Sequence, residues 1–302
     1  MLTLTLDIGG TKIAAGLVDS AGALVRTAVR GTPQGRPAAE VWEVVAELVT
    51  DQMDAAGGAV RAVGIASAGP IDLVTGSVSP INIGCWRQFP LRDRIAAMVP
   101  NVPVELGGDG LCMALGEHWR GAGRGARFLL GVVVSTGVGG GLVLNGMGYG
   151  GRTGNAGHVG HVVVDSDGRP CRCGGRGCVE TLASGPSLVR WAQANGSTAA
   201  SASALAESAA AGDAVARQAF KRGASAVAAM IASVAAVCDL DLVVLGGGVA
   251  KSGQLLFDPL RAALADYAGL EFLAGLRVVP AELGAKAGLV GAAALVGQRF
   301  SG

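Results

Sequence analysis

Two segments of this chain share one design, in which an apolar strand runs into a Gly-rich turn that opens a second strand. The first is Leu4-Thr5-Leu6-Asp7-Ile8-Gly9-Gly10-Thr11-Lys12, and the second is Val132-Val133-Val134-Ser135-Thr136-Gly137-Val138-Gly139-Gly140-Gly141. Each is followed by alternating strand and helix patterns, which predicts an α/β unit present twice. In the first half, Leu2–Asp7, Ile13–Asp19 and Ala23–Val29 read as an antiparallel meander. A helix follows over Pro37–Ala56, then strands at Val60–Ala66 and Val102–Leu106, and the GGDG turn opens a helix over Leu111–Trp119. The second half reads as strands at Phe128–Ser135 and Gly140–Leu144, with helices over Val179–Asn195, Ala202–Ala210 and Asp213–Val237. Strand Leu242–Leu245 ends in three glycines, and helix Leu255–Tyr267, strand Arg277–Val279 and helix Lys286–Gln298 complete the pattern. The expected domains are 1–112 with 287–302, and 113–286, with the ligand cleft between them.

At 302 residues, with a net charge of +1 and 16% charged residues, the chain offers no electrostatic field for nucleic acid or a membrane surface. The expected partner is a small molecule. Glycine is the compositional outlier, 50 of 302 against a usual level of about 7%, and the excess gathers in short loops after apolar runs, where ligands bind. The start MLTLTLDIGG has no basic stretch before its first apolar run, and the apolar run Gly223–Val237 is too short to span a bilayer. A cytoplasmic location is expected.

The Asp7–Lys12 turn presents backbone N–H groups that can approach phosphate oxygens, a hydroxyl and an ammonium as further donors, and a carboxylate that can hold hydrated Mg²⁺. Thr136, Gly137 and Gly139 repeat the design. Either turn alone could be a plain hairpin; one in each half makes a two-jaw phosphate clamp. Gly246, Gly247 and Gly248 follow a buried strand and suit close approach of a nucleotide. Asp109, in a Gly-rich turn before a helix, is placed either to take a hydroxyl proton or to cap the helix. Between Asn155 and Glu180, His161, Cys171, Cys173 and Cys178 stand at metal-ligand spacing, and three thiolates with one imidazole form a closed tetrahedral set for structural zinc. A disulfide with a spare thiol is the other reading of these cysteines. Cys85, Cys112 and Cys238 read as buried thiols.

DIGGTK, STGVGGG, GNAGHVGH over Gly154–His161 and the block CRCGGRGC before Glu180 together resemble the ROK family of sugar kinases and repressors, within the actin/hexokinase-like ATPase superfamily, over the whole length. The resemblance implies two actin-like (ribonuclease H-like) domains with a zinc-binding loop. It implies an ATP-dependent 6-kinase for a hexose or N-acetylhexosamine, in which Asp7, Gly9, Gly10, Thr11 and Lys12 form the first phosphate motif. Thr136, Gly137 and Gly139 would form the second, and Gly246–Gly248 the adenosine-side loop. Asp109 would be the base and a sugar ligand. Gly69, Asn82, Trp86, His158, His161 and Glu180 would wall the sugar, with His161 shared between zinc and sugar. ATP, Mg²⁺ and structural Zn²⁺ are the implied cofactors, and a homodimer or homotetramer the implied assembly. Gly108 stands where the family usually carries Asn. His158 stands where glucose kinases usually carry Glu; GH-x-GH resembles N-acetylmannosamine kinases, and an imidazole can donate to an acetamido group as a carboxylate cannot. Glucokinase is the alternative. The family's repressors carry a helix-turn-helix domain, for which Asp7 leaves no room ahead of it, and an inactive sugar-binding protein is the remaining reading.

Overall fold

The computed structural model describes residues 1–299; positions 300–302, the end of the segment expected to close the first domain, lie outside the described residues. The chain forms two units. One comprises Met1–Gly125, Gly141–Gly157 and the segment from Glu282 on; the other comprises Ala126–Gly140 and His158–Ala281. The expected division at 112/113 would fall inside a helix, and the observed one carries that helix whole, with the hairpin beyond Gly141, in the first unit.

The first unit is built on a sheet of order β3-β2-β1-β4-β7, made of β1 (Leu2–Ile8), β2 (Lys12–Asp19), β3 (Leu24–Gly31), β4 (Val60–Ser67) and β7 (Val104–Gly108). β1, β2 and β3 pair antiparallel, whereas β4 joins β1 and β7 joins β4 in parallel. Leu4, Leu6 and Ile8 of β1 are fully buried, and Thr5 among them donates its hydroxyl to the Gly16 carbonyl at 3.2 Å. Helix α1 (Ala38–Ala56) packs Val41, Val45, Leu48 and Val49 onto this core and ends at Gly57 in the left-handed conformation. β5 (Ile71–Asp72) and β6 (Ser77–Val78) form a small ribbon, and α2 (Leu91–Met98) follows.

Helix α3 (Asp109–Arg120) leaves β7 directly, two residues earlier than the apolar spacing alone predicts. It packs on α9 (Ala287–Arg299) almost backbone to backbone, Gly116 against the Ala287 carbonyl and Gly291 against that of Cys112. At its far end Glu117, fully buried, accepts N–H donors from Ala122 at 3.0 Å, Glu282 at 3.1 Å and Leu283 at 2.8 Å. Three charge-assisted bonds of this kind fix where α9 begins.

The second unit's sheet has the same order of roles, β10-β9-β8-β11-β12, although its outer strands β9 and β10 are carried by the first unit for most of their length. Its strands are β8 (Phe128–Val134), β9 (Val138–Leu144), β10 (Met147–Tyr149), β11 (Leu242–Gly246) and β12 (Arg277–Pro280), with β11 parallel to both β8 and β12. The helix expected over Val179–Asn195 is two, α4 (Glu180–Ala183) and α5 (Gly185–Ala194), because Gly185-Pro186 starts a new one. α6 (Ala202–Ala210) and α7 (Ala214–Cys238) are capped by Ser201 and Asp213, whose side chains accept from Ala204 and Ala216. α8 (Gln254–Tyr267) lies along α7. Among the described helices α7 alone has the length and apolarity to cross a membrane, and its buried Ala224, Val227, Met230 and Ile231 mark it as a core helix.

Candidate active site and metal centre

In the first unit, β1 delivers Asp7 and α3 delivers Asp109. Burial and then the charge of Asp109 push the Asp7 pKa from its ordinary 3.8 up to about 6, against the opposing pull of Lys12. α9 enforces that enclosure: a Cβ on Gly288 would stand 2.5 Å from Asp7 Oδ2. Water reaches Asp109, yet protein surrounds it, and burial holds its carboxyl above the usual range, while the Gly110 N–H bonded to its Oδ1 at 2.7 Å pulls the other way. The Gly9–Lys12 turn is closed by the Gly9 N–H on the Lys12 carbonyl at 3.0 Å and held from outside by the Thr32 hydroxyl on the Gly9 carbonyl at 2.7 Å. Gln34 donates to the Gly10 carbonyl. Thr11 and Lys12 remain exposed. Gly10 lies against Asn82, where a Cβ would meet Asn82 Cγ at 2.6 Å, and the Gly69 carbonyl accepts from the Ile81 N–H at 3.3 Å beside it.

A carboxyl whose pKa is raised by folding binds its proton more firmly folded than unfolded. Between pH 3.8 and about 6 the protein therefore loses stability as pH rises, and above that window the full cost of the buried charge is present. Asp7→Asn is expected to stabilise the metal-free protein by about 1–3 kcal/mol at pH 7 and by nothing near pH 3.5. Denaturant unfolding at the two pH values checks this; a variant less stable than wild type at pH 7 contradicts the assigned burial cost.

In the second unit the turn after β8 is closed by the Ser135 N–H on the Gly137 carbonyl at 2.8 Å. Glu180, at the start of α4, accepts the Val138 N–H on Oε2 at 2.9 Å and leaves no room beside it, since a Cβ on Gly137 would lie 2.6 Å from the same oxygen. The loop after β11 meets this turn. Gly247, at φ +99°, rests on the Val134 carbonyl, which also accepts from Val249 N–H at 3.0 Å. The Gly185 N–H donates to the Ser135 carbonyl at 2.8 Å, bringing the start of α5 alongside. A pocket of about 660 Å³ opens there, lined among others by Thr136, Arg190, Gln193, Ser201 and Gly248.

His158 is exposed and precedes a short 3-10 turn, Val159–His161, with its ring centroid 6.4 Å from that of His161. His161 Nδ1 stands 3.7 Å from Cys171 Sγ, and Cys173 Sγ stands 3.7 Å from Cys178 Sγ; all four ligand atoms lie within 4.8 Å of one another. A tetrahedral zinc with Zn–S near 2.3 Å separates its sulfurs by about 3.8 Å. A disulfide needs about 2.05 Å. These four side chains thus fit zinc, with Nδ1 of His161 turned to the centre. Burial first, and then the neighbouring sulfurs of Cys171 and Cys173, push the Cys178 thiol up to about 12, a cost that a cation between the sulfurs reverses. The knuckle closes through the Cys171 N–H on the Gly175 carbonyl at 2.8 Å, and the Val179 N–H on the Val162 carbonyl at 2.9 Å ties it to Glu180.

A family model described as the ROK family matches residues 3–299. The chain belongs to the ROK family. A glucokinase of Thermotoga maritima is 34% identical over 313 residues, covering 98% of each chain, and an N-acetylmannosamine kinase of Yersinia pseudotuberculosis is 37% identical over 252 residues, covering 82% of each. Among solved structures, a ROK family glucokinase from Streptomyces griseus in complex with glucose and AMPPNP superposes with a TM-score of 0.83 at 36% identity, over 98% of this chain and 99% of that one. The ROK hexokinase of Thermus thermophilus gives 0.86 at 35% identity over the whole of both.

Within this ROK chain the structure corrects some expectations. Trp86 is not a wall residue: it is fully buried, stacked on Phe89 at 4.2 Å, with its indole N–H on the Ala38 carbonyl at 3.3 Å. Cys85 is exposed, because Ile83 and Trp86 on either side take the inward positions, and Cys238 is half-buried. Sequence reasoning missed the α5–α6 wall of the pocket and Asn155. The Asn155 amide accepts from Ile71 N–H at 2.9 Å and donates to its carbonyl at 2.7 Å, pinning β5. Only a polar residue in an otherwise small, Gly-rich run signalled it.

Proposed function

We propose that this chain is an ATP-dependent sugar kinase that moves the γ-phosphoryl group to the 6-hydroxyl of a hexose or N-acetylhexosamine. The observation that carries this reading is the pair Asp7 and Asp109, two carboxyls whose proton affinity burial raises, that of Asp7 further by the charge of Asp109, beside a Gly-rich turn. Asp109 takes the 6-hydroxyl proton as that oxygen attacks the γ-phosphorus and ADP departs. Its raised proton affinity suits a carboxylate that takes a proton during the reaction. Asp7 would hold Mg²⁺ through water, and that cation neutralises phosphate charge when bound. Gly9–Lys12 and Thr136–Gly139 supply phosphate donors, and the pocket beside Gly246–Gly248 suits adenosine. Asn82, His158, His161 and Glu180 are the proposed sugar ligands; Glu180 keeps Oε1 for this while Oε2 holds Val138. The relatives named as kinases support phosphoryl transfer to a sugar and include both glucose and N-acetylmannosamine enzymes.

Between those two substrates we favour an N-acetylhexosamine, on His158 as a donor to an acetamido carbonyl. Full-length similarity to glucokinases favours glucose. Comparing kcat/KM for N-acetylmannosamine, N-acetylglucosamine and glucose tests this. Wild type is expected to favour an N-acetylhexosamine, and His158→Glu to shift the ratio toward glucose by about 10-fold or more. A wild type that strongly prefers glucose, unchanged in the variant, overturns it.

A further inference from the structure

Every carbonyl of the turn Gly9–Lys12 is engaged, and three of the four donors come from the segment that follows β3. β2 and β3 pair with Lys12 opposite Gly31, so Thr32 comes to stand opposite Thr11, and its N–H donates to the Thr11 carbonyl at 3.1 Å. Its hydroxyl donates to the Gly9 carbonyl at 2.7 Å. Pro33 has no N–H with which to continue the ladder, and one residue later the Gln34 amide donates to the Gly10 carbonyl. The fourth donor is the Gly9 N–H on the Lys12 carbonyl.

A trans peptide points its N–H away from its own C=O. Holding the Gly9 and Gly10 carbonyls on the side of residues 32–34 therefore turns the N–H groups of Gly10 and Thr11, which belong to the same two peptides, to the opposite side. That sense decides what an anion meets, because a flipped peptide would offer it a carbonyl oxygen, itself partly negative, in place of an N–H donor. Two glycines in succession have the backbone freedom to flip. Something outside the turn must fix its sense, and Thr32 is suited to do so: it is only 6% exposed, and its hydroxyl is committed to the turn. We propose that Thr32, together with Gln34, is a positioning residue for phosphoryl transfer, its hydroxyl holding the Gly9–Gly10 peptide in the orientation that presents N–H groups to the nucleotide's phosphates. The proposal rests on the reading of Gly9–Lys12 as phosphate donors.

Thr32→Val keeps the β-branched shape and removes the hydroxyl, whereas Thr32→Ser keeps the hydroxyl. Thr32→Val is expected to lower kcat/KM for ATP, and calorimetric affinity for AMPPNP with Mg²⁺, by about 10-fold or more each, the scale for a carbonyl that loses its donor, while KM for sugar stays within about twofold of wild type. Thr32→Ser should stay within about 3-fold of wild type on both measures. Gln34 is exposed, so Gln34→Ala leaves packing intact; it is expected to weaken AMPPNP binding by about 3-fold or more. AMPPNP affinity within about twofold of wild type in either Thr32→Val or Gln34→Ala overturns the proposal. So does a Thr32→Ser as impaired as Thr32→Val, or a KM for sugar that rises as far as the ATP measures fall. Wild type that does not bind AMPPNP removes the phosphate-turn reading, and the role of Thr32 with it.

Discussion

Asp109→Asn is expected to lower kcat by about 10²- to 10⁴-fold, the range assigned to a general base, while the fold and the KM for sugar stay close to wild type. Asn fills the same volume and can still accept the Gly110 N–H that holds Oδ1, so α3 keeps its first turn. What it cannot do is take a proton. The geometry makes this variant informative, since Asp109 is the first residue of a helix clamped to α9 backbone to backbone and cannot drift to compensate. Steady-state kinetics with saturating ATP checks it. Turnover near wild type would refute the base assignment, and a KM rise with kcat preserved would make Asp109 a positioning residue instead.

Cys173→Ala is expected to abolish zinc binding, from about one zinc per chain in wild type to none by metal analysis. One exposed thiolate is lost from a closed set of four. His161 and Glu180 depend on that knuckle, the first as a ligand and the second through the Val179–Val162 backbone bond. KM for sugar should rise about 10-fold or more, as for loss of metal-supporting contacts generally. KM for ATP should rise less, because the Gly247 and Gly185 backbone contacts hold the phosphate turn independently of Glu180. Full activity in a zinc-free preparation contradicts the site.

The residues that announced themselves in sequence did so because their chemistry demands a local pattern. Two Gly-rich turns between apolar strands, and one His with three Cys in eighteen positions over His161–Cys178, allow few structures, and each forms a closed local unit. What stayed hidden depends on partners distant along the chain. Glu180 read as a sugar ligand only, because nothing local reveals that the Val138 N–H, far upstream, reaches its Oε2. Trp86 looked like a sugar platform, since a Trp in a Gly-rich loop reads alike whether it faces ligand or core; the Phe89 ring and the Ala38 carbonyl decided it. Buried Glu117 gave no signal either, as its three donors lie on two separate segments. The split of α4 from α5 was legible in Gly185-Pro186 but outweighed by the apolar spacing on both sides.

Phosphoryl transfer itself is tested most directly by incubating wild-type protein with ATP and Mg²⁺, with and without each of N-acetylmannosamine, N-acetylglucosamine and glucose, and identifying the products by ³¹P NMR and mass. Stoichiometric formation of ADP and a sugar 6-phosphate, dependent on sugar and reduced about 10²-fold or more in Asp109→Asn, is the predicted result. ADP release at one rate whether or not sugar is present, with no phosphorylated sugar formed, would contradict it.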